Sequence, residues 1–198
     1  MQIVKIEKMN KNKIKIFLSN ESSFVMLEKD FKKFNLKDEI SDSQYDFIME
    51  NIVFNQARDT ALKYLSSSAK SIAQIKNKLI DYPDDIVKKV IDLLIEYHYA
   101  DDELFAKNYI YDCLTLRHYG KIKIIFDLKQ KKIDDEIISS AIEKYVDNEK
   151  EIESAKKIAQ LKCKVFDEKS LTKLKNMLHQ RGFSFNIIQE VVKGLTQS

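Results

Sequence analysis

Proline and glycine are nearly missing from this chain, which holds one Pro and three Gly in 198 residues, two Cys and no Trp. An all-β sandwich or barrel needs turn residues roughly every 8–12 positions, so that class is poorly served. Gly120, Gly182 and Gly194 make no phosphate-cradling loop, which argues against a doubly wound nucleotide fold. Collagen-like, disulfide-rich and disordered classes fail on composition. Cys113 and Cys163 have neither C-x-x-C spacing nor nearby His, so they read as reduced, buried thiols. No apolar run approaches the ~18 residues of a membrane span, and Met1–Lys5 lacks a signal-peptide core. The expected compartment is the cytoplasm, with no membrane partner. Charge of one sign is also lacking, with 34 basic residues against 31 acidic. The small excess lies in the last quarter and is too weak for duplex binding on charge alone. Only Arg58, Arg117 and Arg181 are arginines, the better candidates for planar recognition in a lysine-rich chain.

Two periodicities are present. Gln2–Glu7 and Lys13–Leu18 alternate apolar and polar around the turn-prone Asn10-Lys11-Asn12, and Ser23–Glu28 adds a third strand. From Ser41 onward the apolar positions recur at i, i+3, i+4 and i+7, the helical pattern.

The helical part repeats itself at offsets near fifty. Ile86-Val87-x-x-Val90-Ile91-x-x-Leu94 matches Ile137-Ile138-x-x-Ala141-Ile142-x-x-Tyr145 and Ile187-Ile188-x-x-Val191-Val192-x-x-Leu195. All 15 positions are apolar, where a 44% hydrophobic chain supplies about six or seven by chance. Preceding helices align through Ile75, Ile124 and Leu174, and through Leu79, Leu128 and Leu178. Ser71, Gly120 and Ser170 align at their starts as N-caps, Ser71 with capping-box spacing to Gln74. Third helices begin after Pro83, Asp134 and Ser184, with Ile133/Ile138 and Phe183/Ile188 placed as hydrophobic staples. Cys113, Cys163 and Tyr64 share one repeat position, which supports packing. The repeats read as helices over roughly 43–66, 71–81 and 83–97, then 102–118, 120–131 and 134–147, then 150–164, 170–181 and 184–196. The expected fold is mainly α: three tandem three-helix repeats in an elongated curved stack, preceded by a small antiparallel β extension. Its divisions are 1–40, 41–100, 101–148 and 149–198.

No catalytic constellation emerges. His98, His118 and His179 lack ligand spacing and read as helix-end or surface residues. The pairs Asp84-Asp85, Asp101-Asp102 and Asp134-Asp135 stand at helix starts, where acids complement the dipole. No catalytic residue, metal site or cofactor is expected. Arg117-His118-Tyr119-Gly120-Lys121-Ile122-Lys123, with Lys129, Lys131 and Lys132 along the same helix, is the most basic stretch. It is either a solvated lysine face or a contact for a polyanion or acidic partner. Tyr97, Tyr99, Phe105, Tyr109, Tyr111 and Tyr119 read as core and inter-repeat packing in preference to a base-stacking platform.

These residues resemble the RecX family, regulators of the RecA recombinase. Tyr64-Leu65, then Lys70-Ser71-x-x-Gln74-Ile75-x-x-Lys78-Leu79, is similar to the family's Tyr-Leu and Arg-Ser-x-x-Glu-Leu-x-x-Lys-Leu. Asp101-Asp102-x-x-Phe105-Ala106, Arg117-x-Tyr119-Gly120, Leu128-x-x-Lys131-Lys132-Ile133 and Arg181-Gly182-Phe183 follow in order. Lys70 stands where Arg is common and Gln74 where Glu is common. Lys132 occupies a usual Gly position, and if that position needs φ > 0 a lysine there costs ~1 kcal/mol.

The resemblance implies a non-enzymatic, monomeric protein that binds RecA assembled as a filament on single-stranded DNA. It would modulate ATP hydrolysis, strand exchange and the coprotease activity of the SOS response. Candidate contacts are Lys70, Arg117, Lys121, Lys123, Lys132 and Arg181, with weak single- or double-stranded DNA contact allowed. The alternative is a direct DNA-binding protein using helix-turn-helix-like units.

Overall fold

A computed structural model describes residues 1–9, 12–36, 38–162 and 167–196. The chain is mainly helical with a small antiparallel sheet at its start, and it divides into two compact units, Met1–Ala100 and Asp101–Ser198.

The first unit opens with strands β1 (Ile3–Met9), β2 (Lys13–Leu18) and β3 (Ser23–Leu27), paired antiparallel in chain order. Alternation on β2 sends Ile14, Ile16 and Leu18 inward, opposite Met26 and Phe24 of β3. Asn12 closes the first hairpin at φ 57°, a left-handed conformation that Asn tolerates, while Asn10 and Lys11 lie outside the described residues.

Helix α1 (Glu28–Phe34) was not expected from the sequence. Seven residues are too short for a periodicity window to register. Its cues are local: Glu28 and Asp30 in the first turn, Lys32 and Lys33 in the last, and Asn35 as a left-handed C-cap at φ 48°. Helix α2 (Asp42–Ile48) starts from a capping box of Ser41 and Gln44, then passes through a π-helical turn, Met49–Val53, into α3 (Phe54–Leu65). Ser71 caps α4 (Ile72–Lys78) with the same box, closed by Gln74. Pro83 precedes α5 (Asp84–Glu96) as its N-cap, outside the first turn, and its carbonyl accepts from Val87 N at 2.9 Å. One core joins sheet and helices: Ile16, Phe24 and Met26 pack with Ile48, Ile75, Leu79, Ile86 and Leu94. Each such side chain contributes about 1.5–3 kcal/mol of burial, so the sheet is a structural part of this unit.

The second unit holds two helix triplets. The first is α6 (Asp102–Asp112), continued by a π-helical turn Cys113–Arg117, then α7 (Lys121–Gln130) and α8 (Asp135–Tyr145). The second is α9 (Asn148–Lys162), α10 (Glu168–Gln180) and α11 (Phe185–Thr196). Each has its own core, the one around Ile110, Ile124, Leu128 and Ile138, the other around Ile158, Leu174, Leu178 and Val191. Both staples are buried, with Ile133 and Ile138 in one core and Phe183 and Ile188 in the other.

Helices α7 and α10 end alike. Ile133 N donates to Leu128 O and Lys132 N to Lys129 O, matching Phe183 N to Leu178 O and Gly182 N to His179 O. These are Schellman caps with the left-handed residue at Lys132 (φ 56°) and Gly182 (φ 81°). The N-cap expectation fails at Ser170: Asp167 is the cap, its carboxylate accepting from Ser170 N at 2.7 Å, so α10 begins earlier than its repeat partners. A carboxylate three residues upstream captured the free N–H before the serine could act as the cap.

Cys113 is buried and reduced, and burial pushes its thiol up to about 11, consistent with a packing role. Cys163 lies outside the described residues. Of the six clustered aromatics, Phe105, Tyr109 and Tyr119 pack with the core, whereas Tyr97, Tyr99 and Tyr111 are exposed. The packing expectation therefore holds for half of them. Among the described residues no helix is long and apolar enough to cross a membrane.

Candidate interaction site at the seam of two helix triplets

Four of the basic residues singled out above, Arg117, Lys121, Lys123 and Arg181, meet where the two triplets of the second unit touch. Helix α7 begins here, and its first N–H groups have no partner inside the helix. Gly120 N donates to Arg181 O at 2.9 Å and Ile122 N to Gly182 O at 3.1 Å. Lys121 N donates to Oε1 of Glu151 at 2.8 Å. The α10–α11 turn and one carboxylate of α9 thus cap α7 from the neighbouring triplet.

Such a contact demands bare backbone. A Cβ on Gly120 would stand 2.4 Å from Gly182 O, and one on Gly182 would stand 2.3 Å from Lys123 N. Both glycines are needed for close approach, and Gly182 for its positive φ as well.

The Arg181 guanidinium seals the same seam. It lies 5.6 Å from the Tyr119 ring centroid and donates to Arg117 O at 2.7 Å, so its charge sits on the carbonyl end of the π-helical turn. Lys123 pairs with Asp127 at 2.7 Å, and Asp127 also accepts from the Tyr109 hydroxyl at 2.9 Å. Hydrogen bonding to Asp127 raises the Lys123 ammonium above its usual range, and burial raises the Tyr109 phenol. The Arg117 guanidinium covers the Tyr109 ring at 5.1 Å and is otherwise exposed.

Arg181, Gly120 and Gly182 hold the seam, Lys123 is tied to Asp127 on its own helix, and Arg117 and Lys121 face outward. Beside them on α7, Ile122 and Phe126 stand exposed at i, i+4. Exposed apolar side chains between cations suit a protein surface better than a bare phosphate backbone. Lys132 is exposed at the far end of α7, and Lys70 lies in the first unit, between α3 and α4, against the Tyr64 ring at 4.9 Å.

The remaining motif residues are structural. Ser71 and Leu79 are fully buried, as is Leu128. Asp101 caps α6 by accepting from Leu104 N at 2.8 Å, and Asp102 sits in its first turn. Phe105 stacks on Tyr109 with centroids 6.1 Å apart, and Phe183 is buried behind the seam.

Sequence reasoning missed Glu151, which is 4% exposed and whose carboxyl is raised by burial against the opposing pull of Lys121. A signal existed: Glu151 shares the helical stripe of Ala155, Ile158 and Ala159, where an acid is out of place. It missed Tyr109 and Asp127 as a bonded pair because eighteen positions separate them.

Comparison with known proteins points to one family. A family model described as the second three-helix domain of RecX matches residues 101–142, the triplet that carries Arg117 and α7. A crystal structure titled regulatory protein RecX superposes with a TM-score of 0.62 at 26% identity, over 96% of this chain and 98% of that one. RecX from Lactobacillus salivarius gives a TM-score of 0.65 at 24% identity, over 73% of this chain and 97% of its own, a likeness of fold. The regulatory protein RecX of Clostridium tetani is 30% identical over 97% of this chain and 90% of its own length. That of Finegoldia magna is 31% identical over 91% of this chain and 93% of its own, and on this similarity the chain belongs to the RecX family of regulatory proteins.

Proposed function

We propose that the protein is a non-enzymatic, cytoplasmic regulator that binds the RecA recombinase assembled on single-stranded DNA. In this reading it modulates ATPase, strand-exchange and SOS coprotease activities. The observation that carries the reading is membership in a family whose relatives are named regulatory proteins, together with the mixed cationic and apolar face beside the seam.

Arg117 and Lys121 would make direct contacts with Ile122 and Phe126 beside them. Arg181 would position that face by fastening the segment before α7, and Lys123 by pairing with Asp127 within the helix. Lys132 and Lys70 would add outlying contacts. Several weak contacts from separate helix triplets sum through effective concentration, so no single one needs to be strong.

The test is the ATPase rate of RecA on single-stranded DNA with this protein added at and below stoichiometric amounts. A changed rate or filament lifetime supports the reading; an unchanged pair refutes it. A second reading, direct DNA binding, is favoured by α11, whose first turn carries no acid, unlike α5 and α8. Tight binding to DNA without RecA, with a log–log salt slope steeper than about −4, would select it.

A further inference from the structure

Some lysines pair with carboxylates, as in Lys32–Glu28, Lys129–Asp135 and Lys157–Glu153. A cleft of about 630 Å³ in the first unit gathers several that do not. It is lined by Lys13, Lys63, Lys78, Tyr64 and Ser67, with one carboxylate, Asp81. Lys70 flanks it, donating to Ser67 Oγ at 3.4 Å. None of these four lysines forms an ion pair among the described residues.

Three of the ammonium groups rest on aromatic faces instead. Lys70 and Lys78 lie 4.9 and 5.6 Å from the Tyr64 centroid, and Lys13 lies 5.0 Å from that of Tyr82. Ring faces stabilise the cations without neutralising them, so the cleft keeps an excess of positive charge. Like charges gathered in this way destabilise the folded state unless an anion joins them.

We propose that this cleft binds a run of linked phosphates, with the β1–β2 hairpin supplying Lys13 as one wall. Charge density selects the ligand. Four ammonium groups against one carboxylate call for about three negative charges inside a small volume, which linked phosphates carry and three acidic side chains on a peptide do not. Lysine meets phosphate as a point charge, and the Ser67 hydroxyl supplies a neutral donor. A nucleic-acid backbone and a free nucleotide share this chemistry. The proposal does not depend on recognition of RecA.

The experiment is titration calorimetry of the full chain with inorganic triphosphate at low salt. Lys63→Glu with Lys78→Glu weakens binding at least tenfold and Lys13→Glu about threefold, as expected when a phosphate loses its cations. A charge-matched pair of exposed lysines in the other unit, Lys156→Glu with Lys169→Glu, leaves it unchanged. Melting curves separate this from misfolding, because Lys63 and Lys78 are exposed and their reversal relieves repulsion. The variant should melt no lower than the parent, and triphosphate should raise the melting temperature of the parent alone. Displacement of triphosphate by oligo-dT assigns a nucleic-acid backbone; displacement by ATP but not oligo-dT assigns a nucleotide. Absence of triphosphate binding, or equal loss in the two charge-reversed pairs, overturns the proposal.

Discussion

Replacing Gly120 by alanine inserts one methyl group into a seam made of backbone. The new Cβ would lie 2.4 Å from Gly182 O and 2.5 Å from Phe183 N, neither of which can swing aside. The α10–α11 turn must therefore retreat. Retreat breaks the bonds from Gly120 N to Arg181 O and from Ile122 N to Gly182 O, and draws Arg181 away from Arg117 O. Two neutral bonds at about 1 kcal/mol each and one charged bond at about 1.5–3 kcal/mol sum to roughly 3.5–5 kcal/mol. For a unit of this size each kcal/mol is worth about 4–8 °C, so the melting temperature should fall by at least ~15 °C. Gly182→Ala should do as much, with the added strain of a left-handed alanine. Gly194 is the internal control: a Cβ there meets nothing within 4 Å, and inside α11 alanine should stabilise by about 0.5–1 kcal/mol. Circular dichroism melts of the three variants decide the matter. If Gly120→Ala melts within ~3 °C of the parent, the seam is not the close backbone contact described.

Other expectations follow from single groups. Burial raises the Glu151 carboxyl above its ordinary value, so its stabilising share is complete below the unfolded pKa and lost as pH rises through the folded one. Glu151→Gln removes that dependence, and its melting temperature relative to the parent should climb from pH 4 to pH 7; a constant difference contradicts the raised pKa. Lys132→Gly trades about 1–2 kcal/mol of left-handed strain against about 0.5–1 kcal/mol of added chain entropy. Its urea midpoint should rise at constant slope, and a lower midpoint would count against the Schellman cap. Ser71→Ala should cost about 1 kcal/mol because Gln74 N loses its Oγ acceptor, while the backbone N–H of residue 71 keeps its bond to Gln74 Oε1. Ser170→Ala should be nearly neutral, since Asp167 holds the cap; equal losses in urea denaturation would reverse that assignment.

The helix triplets were legible because their information is local. Fifteen apolar positions in three matching registers place the inward faces of α5, α8 and α11, and the cap bonds join residues within a few positions of one another. Lys132 was readable as a strained substitution for the same reason, since a C′ residue is defined by its own helix end. Helix α1 escaped because seven residues with half-buried Phe31 and Phe34 leave no repeatable stripe.

Composition and periodicity by themselves determined a mainly helical chain, the repeat length and most helix boundaries. Each follows from one residue's preference or from spacing along one helix. Only the tertiary structure decided why two of three glycines are bare and what Glu151 is for. It also decided that Arg181 fastens a seam while Arg117 faces outward, and that Lys13 joins Lys63 and Lys78 around one cleft. These depend on partners far apart in the chain, 64 positions in the bond from Arg181 to Arg117 O, and no sequence window reaches that far. The orphan N–H groups at the start of α7 could be predicted from the sequence; which carbonyls would satisfy them was settled by packing.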